Sequence, residues 1–137
     1  MRSFNLKIVT PDGVHYEGPA EGITLRTVVG DATIWAGHID LVTALDIGKA
    51  TVALSETERR LAAASGGVLS VIGDNVTVLA STFEWREDID LERAAASLEK
   101  GKRDLANAND KKEEELAKLR IKRALIRQEV KAEREKI

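Results

Sequence analysis

The chain has 137 residues, with 21 basic against 23 acidic side chains for a net charge of −2, no cysteine and two histidines. That length holds one modest core, or a small core plus an appendage. The near-neutral balance removes the electrostatic case for nucleic acid, missing thiols exclude disulfides and thiolate metal sites, and a zinc centre would depend on carboxylates.

Aromatic residues make up 4% of the chain, too few for a base-stacking platform. The opening MRSFNLKIVT lacks the apolar core of a signal peptide. No run approaches the ~18 apolar residues of a membrane span, so a soluble chain in a cytoplasm-like compartment is expected.

From Phe4 to Thr82 the pattern predicts short strands. FNLKIVT puts Phe4, Leu6 and Ile8 on one face, and GITLRTVV does the same with Ile23, Leu25, Thr27 and Val29. Pro11-Asp12-Gly13 supplies a turn. Further strands are expected at LVTAL, GKATVALS, RRLAAAS, GVLSVI and VTVLAS, the last two joined by Gly73-Asp74-Asn75. Many short strands with close turn signals indicate an antiparallel β-sandwich or flattened barrel, and no Gly-rich strand-to-helix loop suggests a dinucleotide or P-loop fold.

From Asp90 onward Pro is absent and Ala, Leu, Glu, Lys and Arg dominate, so the rest reads as helix. Asp88 or Asp90 can cap the first helix, and ANAND at 106–110 breaks the pattern into two helices that fold back as an antiparallel hairpin. The fold class is therefore α+β, with a β-sandwich over 1–86 and a helical hairpin over 87–137.

The expected seam is Leu91, Ala94, Leu98, Gly101 and Leu105 against Leu116, Leu119, Arg123, Ile126 and Val130. So small-residue a seam supplies a few kcal/mol at ~25 cal/mol per Å², close to the entropy of ordering it, and predicts a hairpin that can detach.

Asp90 and Arg93 lie three apart on one helix face, and Arg123 and Arg127 lie four apart on the other helix. Two like charges on one face repel unless an anion sits between them. In a folded hairpin, Arg93, Arg123 and Arg127 can converge on one polyanion, with Asp90 and Glu84 accepting hydrogen bonds from a ribose or base. His38 has no nucleophile or orienting partner beside it and reads as a turn or partner-contact residue. Trp35 fits either core or interface, and Trp85 is expected to pack the hairpin on the sandwich.

The order IVTPDG, GD-x-x-I-x-x-GH-x-x-LVTALDIG, SGG, VTVLA and E-x-x-x-x-IDLERA, followed by an Ala/Lys/Arg-rich hairpin, resembles the epsilon subunit of F-type ATP synthases. The resemblance covers nearly the whole chain. It implies a ten-stranded sandwich and a non-catalytic subunit that binds the gamma subunit and the c-ring. Its hairpin can extend into the alpha/beta catalytic head and inhibit ATP hydrolysis. Such a subunit is peripheral to the cytoplasmic face of a bacterial membrane, or to the stromal side of a thylakoid.

The resemblance also implies ATP, with or without magnesium, as a regulatory ligand rather than a required cofactor. Ile89, Asp90, Arg93 and Ala94 match the family's Ile/Leu-Asp-x-x-Arg-Ala motif, and Glu84, Arg123 and Arg127 match its further positions. Lys100 replaces an arginine, losing bidentate phosphate geometry. Asp31, Trp35 and His38 fall in the loop expected to face the ring, reshaped by Asp31, Thr33 and the loss of a proline. The alternative is a freestanding β-sandwich binding or adaptor module that dimerises through its hairpin.

Overall fold

The computed structural model describes residues 2–133, so positions 134–137 of the expected hairpin lie outside the described residues. In chain order the strands are β1 (Phe4–Thr10), β2 (Gly13–Ala20), β3 (Gly22–Thr27), β4 (Gly30–Trp35), β5 (Leu41–Ala44), β6 (Gly48–Ala53), β7 (Arg59–Ile72) and β8 (Asn75–Trp85). One 3-10 turn, Arg86–Asp88, leads to α1 (Leu91–Ala106) and α2 (Lys111–Ala132). The strand order is β2-β1-β8-β7-β6-β3-β4, with β5 also on β7. Every named pairing is antiparallel except β1 with β8.

The described residues contain eight strands rather than ten. One reason is that RRLAAAS and GVLSVI form a single strand. Gly66 and Gly67 have φ of 62° and 111°, and a Cβ on Gly67 would meet the Leu79 carbonyl oxygen at 1.8 Å, so glycine carries the strand through that approach without breaking its register on β8. The β7–β8 turn is Gly73-Asp74; a φ of 59° at Gly73 with no positive φ at Asp74 is the type II′ pattern.

Alternation sets the core. Phe4, Leu6 and Ile8 of β1 are buried beside Ile23 and Leu25 of β3, Ile34 of β4, Val52 of β6, Leu69 and Val71 of β7, and Val76 and Val78 of β8. Val29, expected on the buried face of β3, is 90% exposed. The strand ends first because the Thr27 hydroxyl donates to the Gly30 carbonyl and accepts from the Val29 N–H, closing a turn.

The first half of β7 is buried on both faces. Ala62 and Ala64 point into the core, while Leu61 and Ala63 join Ile89, Val130 and the half-buried Ile126 beneath the hairpin. Its continuous apolar run reflects that double burial.

Trp85 is not the hairpin contact. It lies in the sandwich core, edge-on to Phe83 at 4.9 Å, with its Nε1 donating to the His15 carbonyl at 3.2 Å and the Arg60 guanidinium 3.7 Å over its ring. As the last residue of β8 it points inward, and its neighbours Ile89 and Arg86 meet α2 instead.

Both helices are capped. Asp90 accepts from the Glu92 and Arg93 N–H groups at 3.0 and 3.2 Å, and Asp110 from Glu113 at 2.8 Å. On α1 the expected seam holds, with Ala94 and Gly101 buried and Leu98 and Leu105 half-buried, except that Leu91 is exposed; on α2 it is rotated, with Ala117 and Ala124 buried and Leu116 and Leu119 exposed. Small residues win because the helices approach closely; a Cβ on Gly101 would sit 2.8 Å from Ile121 Cγ1. Val130 and Ile126 thereby turn toward the sandwich.

Candidate functional site

A cleft of about 640 Å³ opens where β7 and β8, the start of α1 and the middle of α2 meet. Each wall has a local cause. Glu84 precedes the inward Trp85 on β8, so alternation sends it outward to the hairpin. Asp90 and Arg93 are fixed by the α1 cap, and Arg123 and Arg127 by their one-turn spacing on α2.

The cleft gathers Glu84, Asp90, Arg93, Ala94, Lys100, Arg123 and Arg127. Arg127 Nε stands 3.2 Å from Glu84 Oε1, an ion pair whose N–H is not aimed at that oxygen. Glu84 Oε1 and Arg123 Nε are buried, and among the described residues neither makes a hydrogen bond. Buried polar atoms of this kind are costly unless a partner completes them. Lys100 donates to Asp104 at 3.1 Å within α1. The Asp90 carboxylate serves as helix cap through one oxygen, which leaves acceptor capacity on the other.

Ile89 does not line the cleft. It is buried beneath it with Leu61, Ala63 and Val130, where it anchors the loop that presents Asp90. Asp31 pairs with Arg26 across β3 and β4 at 3.5 Å. Trp35, 47% exposed, covers Gly22 of the facing strand. His38 lies 2.7 Å from the Ile39 carbonyl through Nδ1. These three sit at the β4 end of the sheet, among residues separate from the cleft lining.

Outside the cleft, charged contacts tie α2 to the sandwich and the 3-10 turn. Lys49 on β6 donates to both oxygens of Glu133 at 2.9 Å, and Arg86 and Lys131 reach the carbonyls of Val130 and Arg86 at 3.2 and 3.0 Å. Asp46 lies 3.4 Å from Lys122; the Ile47 backbone N–H, then Lys122, hold its carboxyl below the ordinary range.

Sequence reasoning missed Arg120 and Ser97, which also line the cleft. Arg120 was legible as the third member of a 120-123-127 row, one more turn along the same face. Ser97 carried no such signal.

Residues 3–86 match the family model described as ATP synthase, delta/epsilon chain, beta-sandwich domain. The chain belongs to this family. It is 37% identical over 131 residues to the ATP synthase epsilon chain of Shouchella clausii, covering 95% of this chain and 96% of that one. The epsilon chain of Bacillus velezensis is 38% identical over 130 residues, covering 95% and 98%. The fold is similar to a chain of the Euglena gracilis mitochondrial ATP synthase structure (OSCP/F1/c-ring), at TM-score 0.80 and 22% identity, covering 93% of this chain and 80% of that one. A chain of the Tetrahymena thermophila mitochondrial ATP synthase central stalk and c-ring structure gives TM-score 0.64 at 12% identity, covering 96% and 98%. The epsilon-chain relatives extend past the matched sandwich through the helical hairpin.

Proposed function

We propose that this chain is a non-catalytic rotor subunit of an F-type ATP synthase. Its sandwich binds gamma and the c-ring, and its hairpin is a latch on ATP hydrolysis that ATP holds closed. Among the described residues no helix is long and apolar enough to cross a membrane, and the proposed attachment, at the cytoplasmic face of a bacterial membrane, is through protein contacts. Val28 and Val29 in the β3–β4 turn, which is tied to Ala44 of β5, and the exposed Val42 of the same strand offer apolar surface for them.

The observation that carries the latch is the pair of buried atoms that make no hydrogen bond among the described residues, Arg123 Nε and Glu84 Oε1, the latter only ion-paired with Arg127, at the joint between sandwich and hairpin. A guanidinium and a carboxylate there suit a ligand with phosphates at one end and hydroxyls at the other. Because α1, α2 and β8 all border the cleft, such a ligand binds the closed form alone. At a concentration 100 times its dissociation constant it stabilises closure by about 2.7 kcal/mol.

The reading is tested by deleting residues 88–137 and reconstituting the enzyme. Assembly should survive, since gamma and ring contacts are assigned to the sandwich, and the ATP hydrolysis rate should rise. An unchanged rate contradicts the latch.

A further inference from the structure

We infer that Arg120 is the terminal-phosphate ligand of the cleft, the residue by which the site distinguishes a nucleoside triphosphate from a diphosphate. This rests on the nucleotide reading above and adds a residue to it.

The first observation is direction. Arg120 and Arg127 are separated by two turns of α2, about 10 Å along its axis, with Arg123 between them. Arg127 touches Glu84, so the carboxylate end of the cleft, suited to ribose and base, lies at that end of the row. A phosphate chain leaving it along α2 reaches Arg123 and then Arg120. Arg120, Arg123 and Arg127 all border both the cleft and an adjoining hollow of about 670 Å³, so the whole row faces open space that a phosphate chain can follow.

The second observation is how Arg120 is aimed. The Arg120 stem lies against α1 at Gly101, its Cγ 3.4 Å from where a Cβ on that glycine would stand. Its Nη1 then donates to Ser97 Oγ at 3.4 Å, a long contact that uses one of five N–H groups and leaves the fork free for an anion. Lys100, the other cation on this wall, is already paired with Asp104 and has no planar fork.

The test is calorimetric titration of the full chain with ATP and with ADP, magnesium present, beside Arg120→Gln, which keeps much of the stem over Gly101 but removes the charge. Amide spectra confirm that the variant is folded. Losing a charge-assisted contact to the terminal phosphate should weaken ATP binding on the order of tenfold or more and ADP binding by less than about twofold. Equal losses for both nucleotides, or no loss, overturn the inference while leaving the nucleotide site standing. A wild-type chain that binds neither nucleotide overturns the nucleotide reading itself, and this inference with it.

Discussion

The sandwich and the hairpin are held by different physics. The sandwich has a continuous apolar core drawn from β1, β3, β4, β6, β7 and β8, whereas the hairpin docks on it through Leu61, Ala63, Ile89, Val130 and Ile126 plus a rim of charged contacts. Charge contacts at half-exposed sites contribute little each and are screened by salt. The joint is small and polar beside the core beneath it, which is the imbalance the proposed latch requires: a hairpin held less tightly than the sandwich that carries it.

Substitutions on each side of the joint should separate the two. Leu69→Ala, in the sandwich core, should cost about 2–5 kcal/mol and lower the global unfolding transition measured in urea. Val130→Ala should cost about 1–2 kcal/mol, read as faster amide exchange in α2 with the sandwich transition unmoved. If Val130→Ala instead shifts global unfolding as Leu69→Ala does, the two regions are one cooperative unit.

Lys49→Ala removes the bidentate contact to Glu133 and should cost at most about 1 kcal/mol of docking, an effect that shrinks in high salt. A salt-independent loss would mean that the lysine stem acts by packing. The smallest effect expected is with pH. The carboxyl of Asp46 is lowered in the folded chain, so its contribution is fully present above its unfolded value, about pH 4, and is lost as pH falls through the lower folded value. Amide shifts of α2 near Lys122 should stay constant down to about pH 4 and move below it; movement beginning near neutrality would rule out Asp46 as the cause.

Much of this was legible in the sequence. Period-two alternation located β1 and β3, the Gly73-Asp74 turn joined β7 to β8, and Asp90 followed by Ala- and Leu-rich sequence placed α1. What escaped was set by close approach between distant segments. The seam passed from Leu116 and Leu119 to Ala117 and Ala124 because Gly101 and Ala94 admit a nearer helix, a preference that periodicity alone does not carry. The same approach aims Arg120 across α1. Trp85 was misplaced because alternation on β8 sends it inward and Glu84 out, which needed the register of that strand. At the site the motif spacing named charges that the fold brings to one cleft, but not that Ile89 lies under that cleft rather than in it.

The most direct test of the account is native-state amide hydrogen exchange across the whole chain, without and with saturating ATP. Amides of α1 and α2 should exchange through openings far cheaper than global unfolding and slow markedly when ATP is added, while those of β1, β7 and β8 stay unchanged. Helices and strands exchanging together, with ATP altering neither, would contradict a nucleotide-held latch on an independently stable sandwich.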